Sequence, residues 1–367
     1  MFASNPSFSD SCRALYDYMA SNNIIENVEY VWAVDRAYEI KDKRPNVKYV
    51  RNSERLTKEW FRYIYHIYTS KYLFTTHSYF DEANPHLQKC VCLWHGTMLK
   101  AICKMNEREK HQPVKSQFTY FTAPSNYYQE IFEKSFGVRQ NKVIVTGYPR
   151  NDYLFQENDS LEKLGVPVPN DCKLVVYMPT FRVPKGASYF DSQSDAILDV
   201  INLKDSFWME QFNDYLKTKN IYLLVKLHPY DSMAVSHVEL SNISVIPHKE
   251  LDVKDVQLYH ILHYADAMIT DYSSIFCDYM LLNRPICFVV SDYEQYSKGR
   301  GFVFENPLDY LPGLIVKDYG GLLSFINDVS QNIDSSCKKR ESLQDIYNMN
   351  NVRDFSKQVL IKIGVCK

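Results

Sequence analysis

The chain has 367 residues, which is long enough for two domains with separate hydrophobic cores. It is 46% hydrophobic and 23% charged, which is the balance of a folded protein and excludes a disordered one. The formal net charge of -2 at pH 7 gives no global attraction to nucleic acid or to anionic lipid. Any recognition of phosphate must therefore be local.

Cysteine usage and apolar runs narrow the class of protein further. There are nine cysteines, an odd number, several of them inside apolar runs, and no pair has the C-x-x-C spacing. This pattern predicts reduced thiols in a cytosolic protein, without a zinc or redox site. No run approaches the ~18 apolar residues of a membrane span, and we expect no signal peptide because the first residues lack a basic start and an apolar core.

The first half of the chain alternates short strands with amphipathic helices. Cys12, Leu15, Tyr16 and Met19 share one face of a helix that Ser9 or Asp10 could cap. The following patterns predict strands over residues 30–34, 72–76, 91–95, 119–123 and 143–146, and helices over residues 54–68 and 126–136. The second of these helices ends at Gly137, a common C-cap residue.

A polar stretch over residues 151–172 predicts a linker, after which a second series begins. Strands are expected over residues 174–178, 222–227, 244–246, 267–270 and 286–290, and helices over residues 206–218, 256–264, 273–282 and 321–329. Alternating strands and helices predict parallel sheets, hence an α/β protein with two Rossmann-like domains and a cleft between them. We expect the domains to cover residues 1–165 and 166–345, with a terminal helix over 346–367 packing back towards the first domain.

Polar residues at strand exits are the candidates for function, because ligands of open α/β sheets bind outside the carboxyl ends of the strands. In the first series one strand exits into His95, Gly96 and Thr97, and another leads to Arg150. His95 is suited to proton transfer and Gly96 to a close approach of the substrate. A loop turn is the alternative for His95 and Gly96, and a structural hinge is the alternative for the segment that contains Arg150.

The second series has the stronger pattern. Thr180 and Arg182 follow one strand, Lys226 and His228 end the next, and Asp271, Ser273 and Ser274 mark a strand that passes directly into a helix. Hydroxyls, cations and the free N–H groups of a helix start suit phosphate oxygens. The alternatives are a solvated edge for Lys226 and a plain N-cap for the serines. Arg300 lies in a basic, glycine-containing loop that could close over the site or form a surface turn.

Several motifs are absent from the sequence. There is no Walker loop, no G-x-G-x-x-G, no Asp-x-Asp pair and no G-x-S-x-G elbow. We therefore predict a nucleotide diphosphate held by cations, histidine and a helix start, without a metal or another cofactor.

Taken together, the strand exits resemble a known family. The motifs occur in the order WHGT-x-LK (94–100), GYPRND (147–152), PTFR (179–182), K-L-HP (226–229), ITDYSS (269–274), DY (278–279), RP (284–285) and RGF (300–302). They are similar to those of the CDP-glycerol glycerophosphotransferase family, which includes teichoic acid primases and polymerases and related capsule polymerases. The similarity extends from Phe2 to about Phe304. The chain departs from the family pattern at Met98, where family members often have proline, and at Lys226, where they often have arginine.

The resemblance implies a GT-B fold and transfer of glycerol phosphate from CDP-glycerol to a hydroxyl, with release of CMP. It implies that His95 is the general base, that His228 contacts the donor phosphates and that Ser273 and Ser274 start the phosphate-binding helix. It also implies donor contacts at Thr180 and Arg182. From position alone we add Lys226 and Asp271 on the donor side, and Gly96, Thr97, Lys100, Arg150 and Arg300 on the acceptor or cleft side.

Alternatives remain open at this point. A CDP-ribitol enzyme would share these motifs, a GT-B glycosyltransferase would share the fold, and a non-catalytic phosphopolymer-binding protein would belong to another class. The family's acceptors are lipid-linked, so we expect work at the inner face of the membrane and no nucleic-acid partner. The basic stretch over residues 100–115, with Lys100, Lys104, Arg108, Lys110 and Lys115, predicts a peripheral membrane contact, with a solvated face as the alternative.

Overall fold

A computed structural model describes residues 1–35, 37–51, 55–77, 80–106, 110–111, 118–180, 200–203, 205–227, 240–294, 297, 301–349 and 352–366. It divides into two compact units. Unit 1 comprises Met1–Thr97, Cys103–Gln156 and Asp345–Lys367, and unit 2 comprises Met98–Ile102 and Glu157–Gln344.

Unit 1 is built on a seven-stranded parallel sheet of order β3-β2-β1-β4-β5-β6-β7. Its strands are β1 (Phe2–Ala3), β2 (Tyr30–Val34), β3 (Val47–Arg51), β4 (Tyr72–Thr75), β5 (Lys89–Cys92), β6 (Tyr120–Ala123) and β7 (Val143–Val145). The chain winds outward in one direction from β1 and in the other from β4, which is a doubly wound topology.

Unit 2 repeats this plan with a six-stranded parallel sheet of order β10-β9-β8-β11-β12-β13. Its strands are β8 (Lys173–Met178), β9 (Ile221–Lys226), β10 (Ile243–Ile246), β11 (Ala267–Thr270), β12 (Ile286–Val289) and β13 (Leu314–Val316). The predicted α/β class with two Rossmann-like sheets is confirmed.

The helices follow the strands along the chain. They are α1 (Asp10–Ser21), α2 (Lys58–Thr69), α3 (Asn126–Phe136), α4 (Ser160–Leu164), α5 (Ser206–Thr218), α6 (His248–Lys254), α7 (Leu258–Tyr264), α8 (Ile275–Tyr279), α9 (Tyr319–Ser330), α10 (Cys337–Tyr347) and α11 (Phe355–Lys362). Short 3₁₀ helices cover Cys103–Met105, Gln140–Lys142, Pro149–Phe155, Met280–Leu282 and Pro307–Tyr310. Among the described helices, none has the length and apolar character needed to cross a bilayer.

The core of unit 1 is strongly aromatic. Phe2 of the central strand β1 stacks on Trp32 and Phe74, with ring centroids 5.0 and 5.1 Å apart. Val359 and Leu360 of α11 belong to the same buried cluster. Aromatic pairs of this kind add about 0.5–1.5 kcal/mol each beyond their buried area, so they fix the central strands firmly.

The core of unit 2 is aliphatic along its strands. Leu223 and Val225 of β9 and Ile269 of β11 are fully buried together with Phe212 of α5. Near-continuous apolar strands of this kind are expected where helices cover both faces of a parallel sheet. Polar groups are thereby displaced to the strand ends.

Candidate active site

In unit 1 the winding direction changes between β1 and β4, the position where a doubly wound sheet offers a crevice for ligands. Thr76 and His77 follow β4, and Trp94 and His95 follow the neighbouring strand β5. Two histidines therefore leave adjacent strands at the same edge of the sheet.

The His95 ring is held by its neighbours in one orientation. Its Nδ1 lies 2.9 Å from the backbone oxygen of Thr76. The ring stacks on His77 with centroids 4.1 Å apart and planes at 4°, and the Trp94 ring lies 4.0 Å away. Because a carbonyl oxygen only accepts hydrogen bonds, Nδ1 carries the hydrogen of neutral His95 and Nε2 keeps its lone pair. This is the tautomer that a base acting through Nε2 requires.

His95 is exposed to solvent, yet the protein packed around its ring lowers its pKa. Desolvation is the largest cause. The hydrogen bond to Thr76 and the charge of Asp10 raise the pKa, while the charge of Arg150 lowers it. The net direction favours the neutral ring, which is able to accept a proton near pH 7.

Arg150 lies in the 3₁₀ helix Pro149–Phe155 and is 4% exposed. Its Nη1 is 3.1 Å from Oδ1 of Asp10, the first residue of α1, and its guanidinium lies 5.0 Å from the centroid of the Tyr148 ring. Arg150, the cation expected at this strand exit, is therefore buried and paired with the half-buried Asp10, and its charge acts on His95. Its role in the cleft stays a prediction.

The turn that carries His95 is locally strained. Trp94 has φ of 54°, in the left-handed region that side chains other than glycine and asparagine rarely adopt. Gly96 and Thr97 are buried, and among the described residues the Thr97 hydroxyl has no hydrogen-bond partner. Buried unsatisfied hydroxyls are uncommon, and the acceptor-side role of Thr97 stays a prediction.

Other residues of the GYPRND motif serve the fold. Gly147 has φ of 67°, and a Cβ added there would lie 2.3 Å from Cδ1 of Phe355. The Asp152 carboxylate accepts hydrogen bonds from the backbone nitrogens of Phe355 and Ser356, at 2.7 and 3.0 Å. Asp152 thus caps α11, an interaction worth about 1 kcal/mol, and Gly147 leaves room for that helix.

In unit 2 the corresponding change of direction lies between β8 and β11. Asp271, which is 1% exposed, accepts a hydrogen bond from the Thr180 hydroxyl and lies 3.0 Å from the Thr180 backbone nitrogen. The backbone nitrogen of Ser273 donates to it at 3.2 Å. The Asp271 carboxylate therefore joins two strand exits and orients Thr180 and Ser273.

The predicted helix over residues 273–282 is observed as the five-residue helix α8 followed by the 3₁₀ helix Met280–Leu282. Ser274 is its N-cap residue, but its side chain makes no capping hydrogen bond. Ser273 and Ser274 are half-buried. So short a helix has a weak dipole, and hydroxyl and backbone N–H groups are the chemistry offered here.

Lys226 is the last residue of β9 and is 6% exposed. Burial lowers the pKa of its ammonium to about 8, and the charge of Asp252 acts in the opposite direction. The group is still charged at pH 7, but it has lost much of its hydration. A buried cation in this state gains from an anionic ligand.

The end of the WHGT-x-LK motif meets the described part of the RGF motif, Gly301 and Phe302, within unit 2. Lys100 pairs with Phe302 in an antiparallel bridge. The backbone nitrogen of Ala101 donates to Gly301 oxygen at 3.2 Å, and that of Val303 donates to Leu99 oxygen at 2.8 Å. Lys100 is half-buried there.

Three predicted site residues, Arg182, His228 and Arg300, lie outside the described residues, so their roles stay predictions.

The sequence prediction missed two neighbours of His95. His77 carries the same signal as His95, a histidine directly after a predicted strand, and that rule could have found it. Asp10 was considered only as a helix cap, because nothing in the sequence links it to Arg150.

Among the described residues, no cluster of histidine, cysteine, aspartate or glutamate is arranged to hold a metal.

Two Rossmann-like units with polar residues at the carboxyl edges of their sheets are the architecture of the GT-B fold. The family model for CDP-Glycerol:Poly(glycerophosphate) glycerophosphotransferase matches residues 1–363, and the chain belongs to that family. The resemblance seen in the sequence is thereby confirmed, and the chain is an enzyme of the glycerophosphotransferase class.

Individual relatives agree with this assignment. The teichoic acid poly(glycerol phosphate) polymerase of Bacillus spizizenii is 28% identical over 82% of this chain and 76% of its own. The polymerase of the same name from Bacillus subtilis is 28% identical over 88% of this chain, which spans only 42% of that longer protein. A solved structure of the wall teichoic acid polymerase TagF has a TM-score of 0.77 and 23% identity, with 99% of this chain and 88% of that chain covered, and so shares the fold.

Proposed function

We propose that this chain transfers glycerol phosphate from CDP-glycerol to a hydroxyl of a teichoic-acid-like or capsule acceptor and releases CMP. One observation carries the proposal beyond family membership: the hydrogen bond from His95 Nδ1 to Thr76 oxygen, which leaves Nε2 as a base. Acceptor activation is the step that this reaction requires of the protein.

In this proposal the acceptor oxygen attacks the β-phosphorus of CDP-glycerol. The new P–O bond forms as the bond to CMP breaks, and His95 Nε2 takes the hydroxyl proton. Lys226, Thr180, Ser273 and Ser274 of unit 2 hold the donor phosphates, and Asp271 orients Thr180 and Ser273. Arg182 and His228 add donor contacts, while Gly96, Thr97, Lys100, Arg150 and Arg300 serve the acceptor side.

The reaction class is tested by CMP release from the purified chain, with a glycerol-phosphate-primed acceptor. CDP-glycerol, CDP-ribitol and a set of UDP-sugars are offered separately, each with and without the acceptor. We expect acceptor-dependent CMP release with CDP-glycerol. Release with CDP-ribitol alone would change the polyol, and consumption of UDP-sugars alone would keep the fold and refute the reaction.

We further propose that the acceptor is lipid-linked and that the enzyme works at the inner face of the membrane, where α2 contacts anionic lipid. The outward face of α2 carries Phe61, Tyr65 and Tyr68, which are 56, 62 and 57% exposed, while Tyr63 and Ile67 face the core. Exposed aromatic side chains spaced along one helix face suit the membrane interface.

Charge supports lipid as the partner of this face. Lys58 and Arg62 are exposed and lie on the same side of α2 as the three exposed aromatic residues. Arg55 precedes the helix. The predicted patch over residues 100–115 stays a prediction, since Arg108 and Lys115 lie outside the described residues. Of its apolar members, Ala101 is buried and Ile102 and Met105 are half-buried, which makes α2 the better-supported surface.

Co-sedimentation with phosphatidylglycerol-containing vesicles at low salt tests this contact. Lys58→Ser/Arg62→Ser is expected to weaken binding about thirtyfold, since each basic residue contributes about 1 kcal/mol, and Phe61→Ser/Tyr65→Ser/Tyr68→Ser should also weaken it. Phe207→Ser is the matched control, because Phe207 of α5 is an aromatic residue of unit 2 and is 67% exposed. Equal binding by the aromatic variant and the control would refute α2 as the contact.

A further inference from the structure

We propose that His77 is a positioning residue for the base: its ring lies face to face on His95, fixes the plane of that imidazole and keeps water from one of its faces. This inference rests on the proposed role of His95 but concerns a different side chain. In the proposed reaction His77 itself contacts none of the reacting atoms.

The geometry of the pair is specific. The ring planes are parallel within 4° and the centroids are 4.1 Å apart, so the two imidazoles are stacked. Thr76 connects the two rings, because its backbone oxygen receives His95 Nδ1–H while its hydroxyl lies 2.9 Å from His77 Nδ1. Thr76 is fully buried, so both hydrogen bonds start from a fixed point.

The backbone of His77 is fixed by a second threonine. The Thr75 hydroxyl donates to His77 oxygen at 2.8 Å and accepts from His77 nitrogen at 3.1 Å. Thr75 is the last residue of β4, at the change of winding direction. The sheet therefore places the His77 ring, and the His77 ring places His95.

Two charged residues of the described elements, Asp10 and Arg150, act on the pair. Asp10 of α1 favours protonation of both rings, whereas Arg150 of the 3₁₀ helix Pro149–Phe155 opposes protonation of His95. Burial and the neighbouring His95 lower the pKa of His77 to about 4. Near pH 7 the stack is thus two neutral rings, and His77 shields His95 without adding a charge.

The consequence for pH dependence has a definite sign. The base works when neutral, that is, above the pKa of His95, which is lowered from its usual value. His77→Ala admits water to one ring face, so the pKa of His95 rises and the acid limb of kcat/KM moves to higher pH. Looser orientation should also lower kcat, on the order of tenfold, with little change in KM.

The decisive measurement needs no turnover. Long-range ¹H–¹⁵N NMR of histidine-labelled protein reports the tautomer and the pKa of His95, whose signals are identified by their loss in His95→Gln. We expect a raised pKa and a less uniform Nδ1–H tautomer in His77→Ala. His77→Phe keeps a flat ring in the stack and should leave both values near those of the wild type. His86→Ala, at an exposed histidine, is the matched control.

The outcomes separate cleanly. If His95 titrates unchanged in His77→Ala, or if His77→Phe behaves like His77→Ala, the positioning role is refuted. If the NMR shifts occur as expected but no polyol donor yields CMP, the proposed function fails while the positioning of His95 by His77 stands. A folded His77→Phe protein, checked by circular dichroism, keeps the test valid even where His77→Ala is unstable.

Discussion

Replacing His95 with glutamine is expected to lower kcat for CMP release by about 10²–10⁴-fold, the usual contribution of a positioned general base. Glutamine is polar and of similar size but offers no basic nitrogen. CDP-glycerol binding should change little, because the proposed donor contacts lie in unit 2. The measurement is steady-state CMP release beside equilibrium binding of the donor.

The pH profile sharpens this test. Since the pKa of His95 is lowered, the wild-type acid limb should lie below the ordinary histidine value of about 6.5, and it should be absent from the residual activity of His95→Gln. His86→Gln controls for the loss of an exposed histidine. A His95→Gln enzyme that has lost donor binding, or that keeps its rate, would contradict the role of base.

The fold was predictable because its sheets bury continuous apolar strands. The strands at 30–34 and 267–270 and the helices at 126–136 and 206–218 have the predicted bounds. Hydrophobic periodicity identifies elements that are long or flanked by clear caps, such as Ser125 and Gly137 at the ends of α3. The strand-exit rule then selects one edge of each sheet, and the site proposed there stays a prediction.

Other elements were missed for physical reasons. β1 has two residues, too few for a period-2 pattern, although it is the central strand of its sheet. β3 reads VKYVR and is only partly buried, so its signal is weak. The partnerships of Asp10 with Arg150 and of Asp271 with Thr180 join residues about 140 and 91 positions apart in the sequence, which no local pattern encodes.

Lys226→Met is expected to weaken donor binding while it stabilises the free protein against unfolding. Removing the cation should weaken CDP-glycerol binding about 10–100-fold, because a charge-assisted hydrogen bond contributes about 1.5–3 kcal/mol. The same change should stabilise the free protein at pH 7. A lysine whose pKa falls from 10.5 to about 8 on folding carries an unfavourable burial free energy of up to about 3 kcal/mol while it is charged.

The pH dependence of that gain follows from linkage. The cost of burying Lys226 is fully present below about pH 8, decreases as the folded-state ammonium loses its proton, and is absent above the unfolded value of 10.5. Urea unfolding of Lys226→Met and wild type at pH 7 and at pH 10 should therefore show a stability difference that shrinks with pH. Lys254→Met, at an exposed lysine, should change neither stability nor binding. A destabilised Lys226→Met protein would mean that the ammonium is held by the fold itself, and unchanged donor binding would remove Lys226 from the phosphate site.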